Sequence, residues 1–139
     1  MEQVVDNALK NGFTIAWDGD VGEKGFSAKE GIAVLPTDDS RKDLFSKPGK
    51  EISVTQEARQ ENFESFATTD DHLMHLVGNA KDKSGNPYYI IKNSWNKIGP
   101  YAGFLYMSKP YFKMKTVAVM VHKDAIPKSI LKKIRVDSK

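Results

Sequence analysis

The chain carries three histidines and no cysteine, so proton transfer by imidazole is open to it while thiolate chemistry and cysteine metal sites are not. Two of the histidines, His72 and His75, stand in the apolar run HLMHLVGNA, and a second apolar run, YYIIKN, follows the turn-rich connector KDKSGNP. This pattern predicts a β-hairpin. Side chains alternate faces along a strand, so His72 and His75 point to opposite sides and at most one of them addresses a given cleft. For a hairpin centred in residues 81–87, the partners of His72 fall between about residues 90 and 102. Asn93 and Trp95 lie in that window, with the register left open. A side-chain amide oxygen that accepts from one ring N–H fixes the tautomer of an imidazole and leaves the other nitrogen for proton transfer. Such a pair activates a nucleophile only where the free nitrogen meets a Cys or Ser within about 3 Å. Without one, a His and an Asn on neighbouring strands form a structural hydrogen bond. His75 and His122 are read as structural, and no metal ligands and no cofactor are expected.

Several elements must hold this pair. Val4, Val5, Ala8 and Leu9 recur at helical spacing before Asn11-Gly12, which predicts a short amphipathic helix, and Phe13 to Trp17 predicts a strand ending in the turn Asp18-Gly19-Asp20. Residues 24–50 are rich in Gly, Asp, Ser, Lys and Pro, with Gly31 to Leu35 as the one strand-like run, and are expected to form a surface insertion. Thr55 to Phe66 reads as a second helix with Thr55 available as N-cap. Phe104 to Met107 and Thr116 to His122 supply two more strands around a Pro-containing segment with room for a helical turn, and residues 123–139 form a basic tail. The sum is an α+β domain with an antiparallel curved sheet or half-barrel and two or three helices.

Size and charge narrow the functions. With 139 residues and 40% hydrophobic content, the chain suffices for one domain, 1–139, with a real core. Its 21 basic and 18 acidic side chains are dispersed, and Lys132, Lys133 and Arg135 near the end read as a solvated face. Nucleic acid is therefore not expected as a partner. No apolar run approaches the roughly 20 residues of a membrane helix, and no membrane contact is expected. A cytoplasmic location is favoured, with no targeting signal visible in the first residues.

The local sequences around these residues resemble a known family. Asp71-His72-Leu73-Met74-His75-Leu76-Val77-Gly78 resembles the segment around the base of papain-like cysteine peptidases, in which an Asp precedes the His and a Gly follows six positions later. Ile91-Lys92-Asn93-Ser94-Trp95 resembles the segment that holds the orienting Asn and the Trp over its hydrogen bond. Gly103-Phe104-Leu105-Tyr106 resembles the glycine-aromatic strand that follows in these enzymes, and the opening VVDNALKNGFTIAWDGDVGEKGFS, Thr55 to Asp71 and the closing HKDAIPKSI are similar to the bleomycin hydrolase and aminopeptidase C branch. The resemblance implies the right-hand, His- and Asn-bearing domain of a papain-like fold and the hydrolysis of N-terminal residues from peptides. His72 would be the base, Asn93 its orienter, Trp95 the shield and Asp71 a neighbouring electrostatic influence. Leu73 and the terminal Lys139 would meet the substrate. Full-length members of that branch often form hexamers, so a homo-oligomer is implied as well.

Two departures stand out. Asn96 follows the Asn-Ser-Trp triplet where the family usually has Gly, a substitution that a left-handed backbone tolerates. The other concerns the nucleophile, which in the family lies near a Gln-Gly-x-Cys-type segment of a preceding helical half, and nothing in this sequence matches it. The resemblance therefore implies that the missing N-terminal helical half carries the Cys and that this chain is inactive alone. The rival reading is a catalytically silent papain-like domain that serves as a binding module.

Overall fold

The computed structural model describes residues 1–134. Helix α1 (Glu2–Lys10) turns Val5 and Ala8 into the core and ends at Gly12, whose φ of 79° lies in the left-handed region. Strand β1 (Ile15–Gly19) follows. The expected turn at Asp18-Gly19 is thus the end of a strand. Gly19 is needed there for a close approach, since a Cβ would lie 2.3 Å from the Lys115 carbonyl and 2.5 Å from the Trp17 ring.

Residues 24–50 are not wholly irregular. They hold β2 (Phe26–Ser27) and β3 (Ile32–Ala33), and the loop beyond is drawn together where Thr37 N–H donates to Lys50 O at 3.0 Å. Helix α2 (Gln56–Glu64) begins at Thr55, whose hydroxyl accepts from Ala58 N–H at 3.1 Å. Strands β4 (His72–Lys81) and β5 (Pro87–Lys92) form the hairpin, and β6 (Phe104–Ser108) pairs with β5. Helix α3 (Lys109–Lys115), β7 (Thr116–Met120), a 3-10 turn at Lys123–Ala125 and α4 (Lys128–Ile134) complete the described chain.

One seven-stranded sheet in the order β2-β3-β6-β5-β4-β1-β7 curls into a half-barrel. Its pairs are antiparallel except β3 with β6. Among the described residues, the single parallel pair and the four α-helices differ from the expected antiparallel sheet with two or three helices. The two-residue edge strand β2 leaves no sequence pattern, and α3, expected as no more than a helical turn, packs against β5, β6 and β7. Among the described residues, no helix is long and apolar enough to cross a membrane.

The core lies between one face of the sheet and helices α1 and α3. Trp17, Leu76, Tyr89, Ile91, Leu105 and Met107 enter it from the strands and Tyr111 and Phe112 from α3, each almost fully buried. Burying a side chain of this size contributes about 1.5–3 kcal/mol. The Trp17 indole N–H donates to Thr116 Oγ1 at 2.8 Å, so its one polar atom is satisfied in the core. A smaller cluster sits on the opposite face, where Leu44 of the loop packs with Val34 and Tyr88.

Candidate active site

The hairpin pairs His75 with Lys92 and Leu76 with Ile91, then Gly78 with Ile90, leaving Val77 as an extra residue in β4. This bulge sets the alternation of the strand's first half. Met74 and Leu76 point into the core, and His72 shares their face opposite Gly19 at the end of the sheet. His75 and Leu73 point the other way, both exposed, with Leu73 at 65%. The opposed histidines follow the expectation.

Asn93 follows directly on β5 and is buried, its backbone N–H held by Gly103 O at 2.9 Å. Its Oδ1 lies 2.9 Å from His72 Nε2 and also receives the Trp95 N–H at 3.4 Å. An amide oxygen only accepts, so Nε2 carries the ring proton and Nδ1 presents a lone pair. Among the described residues, Nδ1 makes no hydrogen bond. The Trp95 ring stacks on His72 with centroids 4.7 Å apart and planes inclined by 29°. That ring excludes water from one side of the imidazole–amide bond, which strengthens the bond.

The loop after Trp95 is built for this placement. Asn96 has φ 56°, the left-handed geometry that Asn tolerates. Gly103 has φ 84°, and a Cβ there would meet Asn96 O at 2.0 Å.

Asp71 is directed elsewhere than at the imidazole. Its carboxylate accepts from the Thr69 hydroxyl at 2.7 Å and from the backbone N–H groups of Val21 and Gly22 at 3.3 and 3.2 Å. It thereby ties the start of β4 to the loop after β1, and the Thr69 hydroxyl above all holds its pKa below the ordinary value of 3.8. A lowered carboxyl pKa gives stability that is complete above the unfolded value and lost as pH falls through the folded value. Asp71→Asn is accordingly expected to leave an acid unfolding curve with a shallower loss below about pH 4 than the wild type. Parallel curves would remove the role.

Three charged groups here escape a reading of the sequence. Lys115 and Asp20 are buried as an ion pair at 3.4 Å, with Lys115 also bonded to Ala67 O at 2.6 Å and to the Glu23 carboxylate. Asp20 further accepts from Gly22 N–H at 2.8 Å and Thr69 N–H at 3.3 Å. The pair joins the ends of β1 and α3 to the segment that leads into His72. On the outer face, opposite Leu73, Asp18 has its carboxyl pKa raised by burial and by the Asp70 carboxyl next to it. The one visible signal is an acid placed straight after the apolar run FTIAW.

Among the described residues, no group of three or more His, Asp or Glu is placed to hold a metal ion. His122 caps the 3-10 turn through Nδ1 and stacks on Phe13 at 5.2 Å. Lys139, and with it the end of the basic tail, lies outside the described residues.

A family model, that of the Peptidase C1-like family, matches residues 1–138. No curated protein matches the chain. Among solved structures, the crystal structure of PepW from Lactobacillus rhamnosis HN001 is similar in fold, with a TM-score of 0.67 and 22% sequence identity. The match covers 99% of this chain and 30% of that one, so the chain spans under a third of the length of that structure.

Proposed function

Because this chain belongs to the Peptidase C1-like family, a family of papain-like peptidases, we propose that it is the base-bearing part of a cysteine aminopeptidase of the bleomycin hydrolase and aminopeptidase C type. The observation that carries this reading is the His72 Nε2 to Asn93 Oδ1 bond of 2.9 Å beneath Trp95, with Nδ1 left free. Asn93 is the orienter and Trp95 the shield. The nucleophilic thiolate comes from outside this sequence, which has no cysteine. On that reading Nδ1 takes the thiol proton, and the thiolate sulfur bonds to the carbonyl carbon of the first residue. The C–N bond then breaks as the imidazolium returns the proton to the leaving amine. Water, deprotonated by the same nitrogen, releases the acid from the thioester.

The part that carries the Cys would meet His72 Nδ1 at the end of the sheet, on the face that His72 shares with Met74 and opposite Gly19. That contact also completes the cleft for the peptide and supplies the surfaces from which a hexamer could be built. The absence of a cysteine equally favours a silent domain that binds a partner with the same face.

One experiment separates these readings. The chain alone is expected to give no turnover of aminoacyl-coumarin amides, and turnover appears when a Cys-bearing helical half of the family is added. Turnover by the chain alone that disappears in His72→Ala would overturn the missing nucleophile. A stable complex that remains inactive would favour the silent domain.

A further inference from the structure

The half of the sheet remote from His72 holds a second concavity. Residues 41–50 fold back over the outer face of β3, β6 and β5 and leave a cavity of about 230 Å³. Ile32, Tyr88 and Tyr106 form its floor, and Val34 and Leu44 close its side. The register explains the floor: Ile32 pairs with Tyr106 and Ala80 with Tyr88, so these side chains share the face turned away from the core.

The covering loop is fixed at both ends. Thr37 N–H and hydroxyl both donate to Lys50 O, and Pro36 bridges Glu51. Within it the Arg41 guanidinium pairs with Asp43 at 3.0 Å and lies over Gly49. A loop stapled in this way holds the cavity open rather than letting its apolar walls collapse.

Cations outnumber acids around the cavity, with Arg41, Lys47, Lys50 and Lys81 against Glu51 and Asp82. Lys47, Lys50 and Lys81 stand exposed on its rim and make no ion pair among the described residues. Both acidic groups in its wall accept hydrogen bonds from neutral donors, and Asp82 keeps its charge, its pKa lowered mainly by the Asn86 side chain. Glu51 Oε2 accepts from Leu35 N–H at 2.6 Å and the Ser108 hydroxyl at 2.5 Å, and burial pushes its carboxyl pKa up. Asp82 accepts from Ser84 N–H, Asn86 N–H and the Asn86 amide.

We infer that this cavity is a binding site, separate from the His72 site, for an amphipathic carboxylate: one apolar ring or aliphatic group in the cavity and a carboxylate among Lys47, Lys50 and Lys81. The volume admits one large apolar group and no more. A free aryl-alkyl acid and the C-terminal residue of a peptide share this chemistry.

The test is a titration of the isotope-labelled full chain with 4-phenylbutyrate, followed by backbone amide NMR. Saturable shifts at residues 32–34, 44–50, 80–82, 88 and 106 are expected, with a Kd of about 0.1–1 mM. The carboxamide analogue should bind at least about tenfold more weakly, as should the acid to a chain with Lys47→Gln, Lys50→Gln and Lys81→Gln combined. These surface changes leave the core intact, whereas Leu44→Trp fills the cavity and should abolish the shifts.

Equal binding of acid and carboxamide would overturn the inference, and so would shifts centred on His72 or no shifts at 10 mM ligand. A peptide ending in free Phe and its C-terminal amide identify the source. Discrimination between them assigns the site to chain ends, and binding of the small acid alone assigns it to free carboxylates.

Discussion

Replacing His72 by Ala in the assembled enzyme, this chain joined to a Cys-bearing half, is expected to lower kcat/KM for an aminoacyl amide by about 10,000-fold or more. The imidazole serves twice, as acceptor of the thiol proton and as donor to the leaving amine, and no other described side chain shares its place. At 1.36 kcal/mol per tenfold, the loss is about 5.5 kcal/mol of transition-state stabilisation. Asn93→Ala removes only the orientation of the ring, and its expected loss is nearer 100-fold. Proton-coupled nitrogen shifts of His72 give a second readout, since the Nε2–H tautomer should lose its dominance when Asn93 goes. A His72→Ala enzyme that keeps a tenth of its kcat/KM would show that the base lies elsewhere.

The second large effect is one of stability. Lys115→Met leaves Asp20 and Glu23 without the cation that neutralises them in a buried setting, and breaking such a pair costs about 3–5 kcal/mol. A domain has only about 5–15 kcal/mol in all. At roughly 2–4 °C per kcal/mol, the melting temperature should fall on the order of 10 °C.

The deficit should depend on pH with a defined sign. Burial raises the Asp20 pKa, so the folded state binds a proton there more readily than the unfolded chain does, and the cost of the charge is relieved as pH falls through the folded value. Urea unfolding at pH 7 and pH 5 should therefore show a smaller deficit at pH 5, and adding Asp20→Asn to the variant should recover part of the loss at pH 7. A single variant within 1 kcal/mol of the wild type at pH 7 would show that the pair contributes nothing net.

The hairpin and its His–Asn contact could be read from the sequence because strand alternation and loop length confine His72 to few partners, and Asn93 is among them. Helix α1 and the Thr55 cap of α2 were legible for similar local reasons. Strand β3 falls within the strand-like run Gly31 to Leu35, but the edge strand β2 and the parallel ladder from β3 to β6, some 70 residues away, left no local sign. Nor was the Lys115–Asp20 pair legible, because a lysine in a short helix gives no sign of burial until three segments converge on it. Gly19 was read as punctuation; its role is to admit the Lys115 carbonyl, a contact across 96 positions that local pattern cannot contain. The role of Asp71 differs for the same reason: it precedes His72 in sequence, while its hydrogen bonds run to Thr69 and to a loop 49 residues distant.

The bulge at Val77 bears on which lengths of this hairpin are permissible. Beyond it, Gly78 and Ala80 face the outer side; before it, Met74 and Leu76 face the core, with His72 in phase with them. Deleting any one residue of β4 between His72 and the turn would shift that phase and carry the imidazole to the wrong side of the sheet. The turn at residues 82–86 carries no such restriction, because its length does not set which way His72 faces. Natural length variation in this hairpin should therefore collect at the tip, and a relative that lost the extra residue would have to find its proton acceptor on another strand.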